Sequence, residues 1–400
     1  MNIFLTDGDS RSALAVTRSL GSKGHRIFVG SEQANSLASS SKYCHENLAY
    51  PSPRDDPEAF TEFLIHYVKE KRIDVLLPMT DVSLLLVSRH RNLFPAQCSI
   101  PIPSDEAIHA AADKNNVLEL ARSVGMSVPG SYNIESYDSI ESAIDSCGLN
   151  YPVVIKPTRS RIRSQNGWIF THVEYADDHQ QLSHKLKALD PLAYPVVLQE
   201  RVVGTGAGAF YCYNKGVCVA KFAHARIREK PPSGGVSVVR ESRLVDPTVD
   251  KYSQALLSKL NWHGVAMVEL KIDQSDGSAY LMEINGRFWG SLQLAIDAGV
   301  DFPDILINMD KESSIYEDQK PYKIGVKSRW FWGDVDLLLL YLLKSERSLN
   351  LPQNHPGRLR AIMSILKPYT QNQYFEILRL SDIGPWLYES RKWIKTNFKI

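Results

Sequence analysis

The stretch Gly264 to Arg287, GVAMVELKIDQSDGSAYLMEINGR, constrains this chain more than any other. Polar and apolar residues alternate from Val265 to Asp273 and again from Tyr280 to Arg287, the period of a half-buried strand. Between them lies QSDGS, whose Asp-Gly pair is a strong hairpin-turn signal. Folded about Asp276, the hairpin sets Glu269 opposite Glu283, with Asn285 two residues further along the same face. Val268, Leu270, Ile272, Met282 and Ile284 share the other, apolar face. Like charges directly across a ladder destabilise it. A hard divalent cation removes that penalty, because Mg2+ takes oxygen ligands from one or two carboxylates and from substrate phosphates. On this stretch alone, metal binding and a solvated acidic hairpin are both open.

The remainder of the chain must supply a core for that hairpin. Its 400 residues allow one large domain or about two to three small ones. A composition of 44% hydrophobic and 23% charged residues is that of an ordinary soluble globular protein. A formal net charge of +1 gives no bulk argument for nucleic-acid binding. Cys44, Cys98, Cys147, Cys212 and Cys218 are scattered, without CxxC or zinc-ligand spacing, which fits reduced thiols in a cytosol. The opening MNIFLTDGDS lacks the basic-then-apolar pattern of a signal peptide, and no apolar run is long enough to cross a bilayer. The expected location is cytoplasmic.

Ile3 to Thr6 reads as a buried strand, Ala13 to Leu20 as a helix and Arg26 to Val29 as a second strand. This βαβ unit lacks GxGxxG, so a dinucleotide site is not expected. Helices over Asp55 to Lys71 and Val82 to His90, around a strand at Asp74 to Pro78, complete a small parallel α/β domain. Asp113 to Val124 reads as a helix with Lys114 in its first turn and Gly125 as its stop. YPVVIKP follows, an apolar strand with Lys156 near its end. A lysine there either snorkels to solvent or grips phosphate. The polar segment Thr158 to Gly167, TRSRIRSQNG, carries three arginines and suits either an anion-binding lid or a solvated basic loop.

PVVLQERVVG is a strand carrying Gln199 and Glu200, and the glycines of GTGAGAF allow a bend and close backbone approach to something bound. Phe210 to Tyr213 and Val217 to Phe222 form a hairpin. Arg226, Arg228, Lys230 and Arg240 then surround PPSGG, a pattern that fits an anionic ligand or a charge-guarded edge strand. Beyond Tyr322 the texture changes to Arg329-Trp330-Phe331-Trp332, an apolar Leu337 to Leu343 and a basic aromatic tail. That tail (Trp386, Arg391, Lys392, Trp393, Lys395, Lys399) is expected to be a packed helical cap, with a partner surface or peripheral membrane contact as alternatives.

Taken in order, these pieces resemble the ATP-grasp superfamily, and most nearly its carbamoyl-phosphate-synthase-like carboxylate–amine ligase branch. The resemblance covers roughly Pro101 to Asp304 and rests on Lys114, VVIKP, LQE, PPSGG, VELK and EINGR in succession. It implies an α/β (α+β) fold. A Rossmann-like N-terminal domain (1–103) would precede a two-subdomain ATP-grasp fold (104–195 and 196–320) and a mainly helical C-terminal extension (321–400). It implies that Lys114 and Lys156 hold ATP phosphates, that Thr158 to Gly167 closes over them, and that Gln199, Glu200 and the backbone through Val203 meet the adenine at the hinge. Glu269, Glu283 and Asn285 would bind Mg2+, with Mn2+ as a substitute. Arg287, with Arg226 or Arg240, would position an acceptor carboxylate. The implied reaction is ATP-dependent ligation of a small-molecule carboxylate to an amine through an acyl phosphate. The alternatives are a carboxyphosphate-type or thiol ligase and a non-catalytic ATP-binding module. Dimers are common in the family, which keeps a homodimer open. The chain departs from the family pattern in an arginine-rich rather than glycine-rich phosphate loop, and in GTGAGA where a ribose-binding acid is often found.

Overall fold

The computed structural model describes residues 1–159, 161–164, 167–232, 235–309, 321–349, 351, 357–367 and 372–398. Strands Asn2–Leu5, Arg26–Ser31, Cys44–Ala49 and Val75–Leu77 form a parallel sheet, ordered 44–49, 26–31, 2–5, 75–77. Side chains alternate across a strand, and here both faces are covered. Ile3, Leu5, Ile27 and Val29 enter one core, while Phe4 and Phe28 enter another. The first core is continuous with Phe210 and Phe222 of the large sheet and with Trp289 and Phe302, which follow the acidic hairpin. Cys44–Ala49 alternates half-buried with exposed residues, so it carries too little apolar signal to be read as a strand from sequence.

A second, antiparallel sheet runs Ser131–Ile134, Val196–Glu200, Val153–Pro157, Glu174–Ala176. A third, of seven strands, runs Ala279–Asn285, Gly264–Asp273, Gly204–Asn214, Val217–Lys230, Val236–Arg243, Lys327–Arg329, Gln373–Phe375. Between these two sheets lies the cleft that holds the candidate site. The connection between the two sheets is held on both sides: Glu200 N donates to Gly130 O at 2.8 Å, and Gln274 N donates to Val203 O at 3.1 Å.

The central hairpin forms as expected, with Glu269 registered against Glu283. One expectation for its apolar face fails. The register shifts between Glu269 and Leu270, so Leu270 pairs with Leu281. This bulge puts Leu281 in the core, fully buried, and turns Met282 toward the cleft, 4.0 Å from Lys156 Nζ. Ile272 is half-buried rather than core.

The glycines of GTGAGA also do something other than expected. They lie inside a continuous strand and make room for neighbours within the fold. A Cβ on Gly204 would stand 1.8 Å from Ile272 O, and one on Gly206 would stand 2.8 Å from Arg226 Cδ. The close approach is therefore to the adjacent strand and to an arginine.

The C-terminal extension is mainly helical, with Phe331–Leu343, Arg358–Leu366 and Gly384–Phe398, but it also contributes the last two strands of the large sheet. Its aromatics are used internally. Trp393 stacks on Trp332 at 4.1 Å between centroids, and its Nε1 donates to Asp336 at 2.6 Å. Lys399 lies outside the described residues.

Candidate functional site

Lys114 opens the helix Lys114–Val124, whose N-cap Asp113 accepts from the amides of Asn115 and Asn116. That acid offsets the cost of a cation at a helix start. Lys114 N donates to Thr158 O at 3.0 Å and its Nζ donates to Pro157 O at 3.2 Å, which ties the helix start to the end of the Val153–Pro157 strand. Gly125, with φ +84, ends the helix as the sequence indicates. Burial lowers the Lys114 pKa against the pull of Glu283 and Asp113.

Lys156 stands on that strand. Its Nζ donates to Gln199 Oε1, and Gln199 Nε2 in turn donates to Ser131 Oγ at 3.2 Å. Burial, then the neighbouring Lys114, push the Lys156 pKa down to about 8, opposed by Glu283 and Glu269. Lys114, on a helix packed against the acidic hairpin, thus feels Glu283, and Lys156, on the facing sheet, feels both Glu283 and Glu269. Gln199 is buried and supports Lys156; Glu200 is half-buried, and Val203 is exposed at the entry to the Gly204–Asn214 strand.

On the facing hairpin, Asn285 Nδ2 donates to Glu283 Oε1 at 2.8 Å. Glu269 pairs with Arg226 at 2.8 Å. Burial raises the Glu269 pKa, Arg226 opposes that, and Glu283 adds to it. This donor set suits a hard cation. Glu269, Glu283 and Asn285 offer only oxygen to a metal, and the carboxylate repulsion that lifts Glu269 is what a bound cation would relieve.

Three arginines were expected beside these acids, and the structure places them differently. Arg226 reaches Glu269 through the space left at Gly206 and also pairs with Glu229 at 3.0 Å. Arg287 donates from Nε to Asp81 Oδ1 at 2.9 Å and from Nη2 to Asp81 Oδ2 at 3.3 Å. Arg240 is Arg226's neighbour across the ladder, yet it is fully buried against Glu376, which Arg11 also pairs at 2.8 Å. Its guanidinium is therefore withdrawn from the cleft. The basic cluster around PPSGG is mostly neutralised in the same way: Arg228 by Asp334 at 2.9 Å and Lys230 by Asp336. Ser233 and Gly234 of that motif lie outside the described residues.

The arginine-rich segment contains a two-stranded hairpin, Arg161–Ser164 with Gly167–Phe170. Residues 160, 165 and 166 lie outside the described set. The hairpin rests on the N-terminal domain. Arg161 Nη1 donates to Asp81 Oδ2 at 2.9 Å, Trp168 Nε1 donates to Pro53 O at 3.2 Å, and the Arg54 guanidinium lies 5.1 Å from the Phe170 ring centroid. Beneath it a cavity of about 850 Å³ is lined by Lys114, Glu283 and Asn285 on one side and by Asp81, His90 and Trp168 on others.

Asp81 is the site residue that sequence reasoning missed. It opens the helix Asp81–Arg89, just past the carboxyl end of strand Val75–Leu77, where open parallel sheets place ligands. Position after a buried strand was the available signal, but its partners Arg161 and Arg287 are remote in sequence.

Residues 217–330 match the family described as ATP-grasp in the biosynthetic pathway with Ter operon. No curated protein matches the chain. Among solved structures, the L-amino acid ligase from Bacillus licheniformis is similar at TM-score 0.58 and 16% identity, over 76% of this chain and 73% of that one. The N5-carboxyaminoimidazole synthetase from Staphylococcus aureus is similar at TM-score 0.59 and 15% identity, over 82% and 80%. The biotin carboxylase domain of the Hydrogenobacter thermophilus 2-oxoglutarate carboxylase, solved with MgADP, ADP and bicarbonate, is similar at TM-score 0.62 and 13% identity, over 81% and 73%.

Proposed function

We propose that the chain, whose residues 217–330 match an ATP-grasp family, is an ATP-dependent ligase that joins a small-molecule carboxylate to an amine. The observation that carries this reading is the convergence of Lys114, on a helix packed against the acidic hairpin, and Lys156, from the facing sheet, on Glu283, with Glu269 also acting on Lys156. Lysines match the phosphates of ATP. Glu269, Glu283 and Asn285 would hold Mg2+, which when bound offsets charge on the transferring phosphoryl group. Arg287 and Arg226 orient the acceptor carboxylate. A carboxylate oxygen attacks the γ-phosphorus and the bond to the ADP oxygen breaks, which gives an acyl phosphate. The amine then attacks the carbonyl carbon, phosphate leaves, and the amine's proton passes to solvent or a nearby base. Positioning and electrostatics supply the acceleration, so no nucleophilic side chain is required.

The test is nucleotide product analysis with ATP, Mg2+ and pooled carboxylates and amines. ADP and phosphate should form only with an added carboxylate, and Glu283→Gln should reduce turnover by about a hundredfold or more. AMP and pyrophosphate would overturn the acyl-phosphate step. Similarity to two carboxylating folds supports a second reading, in which bicarbonate is the carboxylate. Labelled bicarbonate retained in product would favour it.

A further inference from the structure

One carboxylate in this structure serves two cations from two separate elements. Asp81 comes from the N-terminal domain, Arg161 from the hairpin over the cavity, and Arg287 from the end of the acidic hairpin. Both arginines meet at the same oxygen. Arg161 Nη1 is 2.9 Å and Arg287 Nη2 is 3.3 Å from Asp81 Oδ2, while Arg287 Nε takes Oδ1 at 2.9 Å. Burial alone would lift the Asp81 pKa, but Arg287 and Arg161 hold it below the usual range, so it is a carboxylate at neutral pH.

The Arg287 fork is thereby fixed in orientation. Of its five N–H groups, Asp81 takes two, Asn285 Oδ1 takes one at 3.4 Å and Phe288 O takes one at 3.2 Å. One hydrogen, on Nη1, has no acceptor among these partners. We propose that Asp81 is a positioning residue that clasps the hairpin shut and aligns Arg287 in the same act, so that the acceptor arginine is set only when the cavity is covered. This deepens the ligase reading and rests on it. An acyl phosphate is lost to water, and coupling closure to acceptor alignment confines it to a covered site.

The test needs neither substrate nor turnover. The covering hairpin carries Trp168 and Phe170, both cleavable by chymotrypsin, and Phe170 is exposed enough to report the hairpin's release. Cleavage after these residues would be compared in the full chain for wild type, Asp81→Asn, Arg161→Gln and the double variant. MgADP affinity and melting temperature would be measured in parallel. Loss of a charge-assisted hydrogen bond should speed cleavage about tenfold in each single variant. Because both remove one clasp, the double variant should be cleaved no faster than either single. Asp81→Glu should recover most of the protection, which a general loss of stability would not produce. Wild-type cleavage in Asp81→Asn overturns the clasp, and so do effects that multiply in the double variant. Arg161→Gln lies on the outer hairpin and reports even if Asp81→Asn folds poorly. Absence of MgADP binding in wild type would instead defeat the ligase reading, and the cleavage comparison would still decide the clasp.

Discussion

At the scale of single residues, the site is built by holding charges where they are uncomfortable. Lys156 is the clearest case: with its pKa pushed down to about 8, the free protein loses that cation, proposed to bind phosphate, just above neutrality. Nucleotide affinity should therefore fall about tenfold between pH 7 and pH 9, and in Lys156→Met it should be weak at every pH, as read by titration calorimetry. Stability carries the opposite sign. An unfolded lysine titrates near ~10.4, so between about 8 and that value the unfolded chain holds more protons and the free protein gains stability as pH rises. Lys156→Met should be the more stable protein at pH 7 and should lack that rise. The residues of this centre were legible because each sits at a recognisable point of a strand or helix. Lys156 ends an apolar strand, Lys114 follows a helix cap, and Glu269 and Glu283 fall opposite across a turn that Asp276-Gly277 announces. Asp81 was not legible, since its role depends on Arg161 and Arg287, separated from it by 80 and 206 positions.

At the scale of elements, the large sheet was readable as strands as far as the acidic hairpin, but its last two strands, Lys327–Arg329 and Gln373–Phe375, and its contacts were not. Its hairpins show in the alternation, yet the bulge after Glu269 does not, and one residue of slip exchanges Leu281 for Met282 between core and cleft. The same holds for Gly206, whose missing side chain admits Arg226 from the next strand. Gly206→Val should push Arg226 off Glu269, lower ligase turnover about tenfold or more, and change the melting temperature comparatively little, because the displaced group is a flexible side chain. Activity and thermal unfolding measured on one preparation check this. The basic strand around PPSGG left an anionic ligand and a charge-guarded edge strand both open. Sequence could not choose between them because the acids that neutralise Arg228 and Lys230 come from the Phe331–Leu343 helix, 106 positions away.

At the scale of the whole molecule, the extension is part of the structure that holds the site. Glu376 is buried between Arg11 and Arg240, and those two guanidiniums keep its pKa below the ordinary glutamate value although burial pulls the other way. Its contribution is present above the range in which an unfolded glutamate titrates and is lost as pH falls through the lowered folded value. Glu376→Gln should cost about 3–5 kcal/mol in denaturant unfolding at pH 7 and should flatten the acid limb of the stability curve. Removal of residues 369–400 should abolish folding rather than weaken binding to anionic liposomes, as circular dichroism and vesicle sedimentation would show together. The tail's sequence pointed to a packed cap, but not to the buried Glu376 that ties it to Arg11 and Arg240. The buried Arg18 extends the point. It lies on the first helix, Arg11–Ser22, and its Nε donates at 2.8 Å to Asp382, 364 positions later. On a ribosome, that helix leaves the exit tunnel long before its partner has been translated. The first domain must then wait, with a bare guanidinium in its half-made interior, until nearly all of the chain has been synthesised, and fragments that stop short of Asp382 should be substrates for chaperones and proteases.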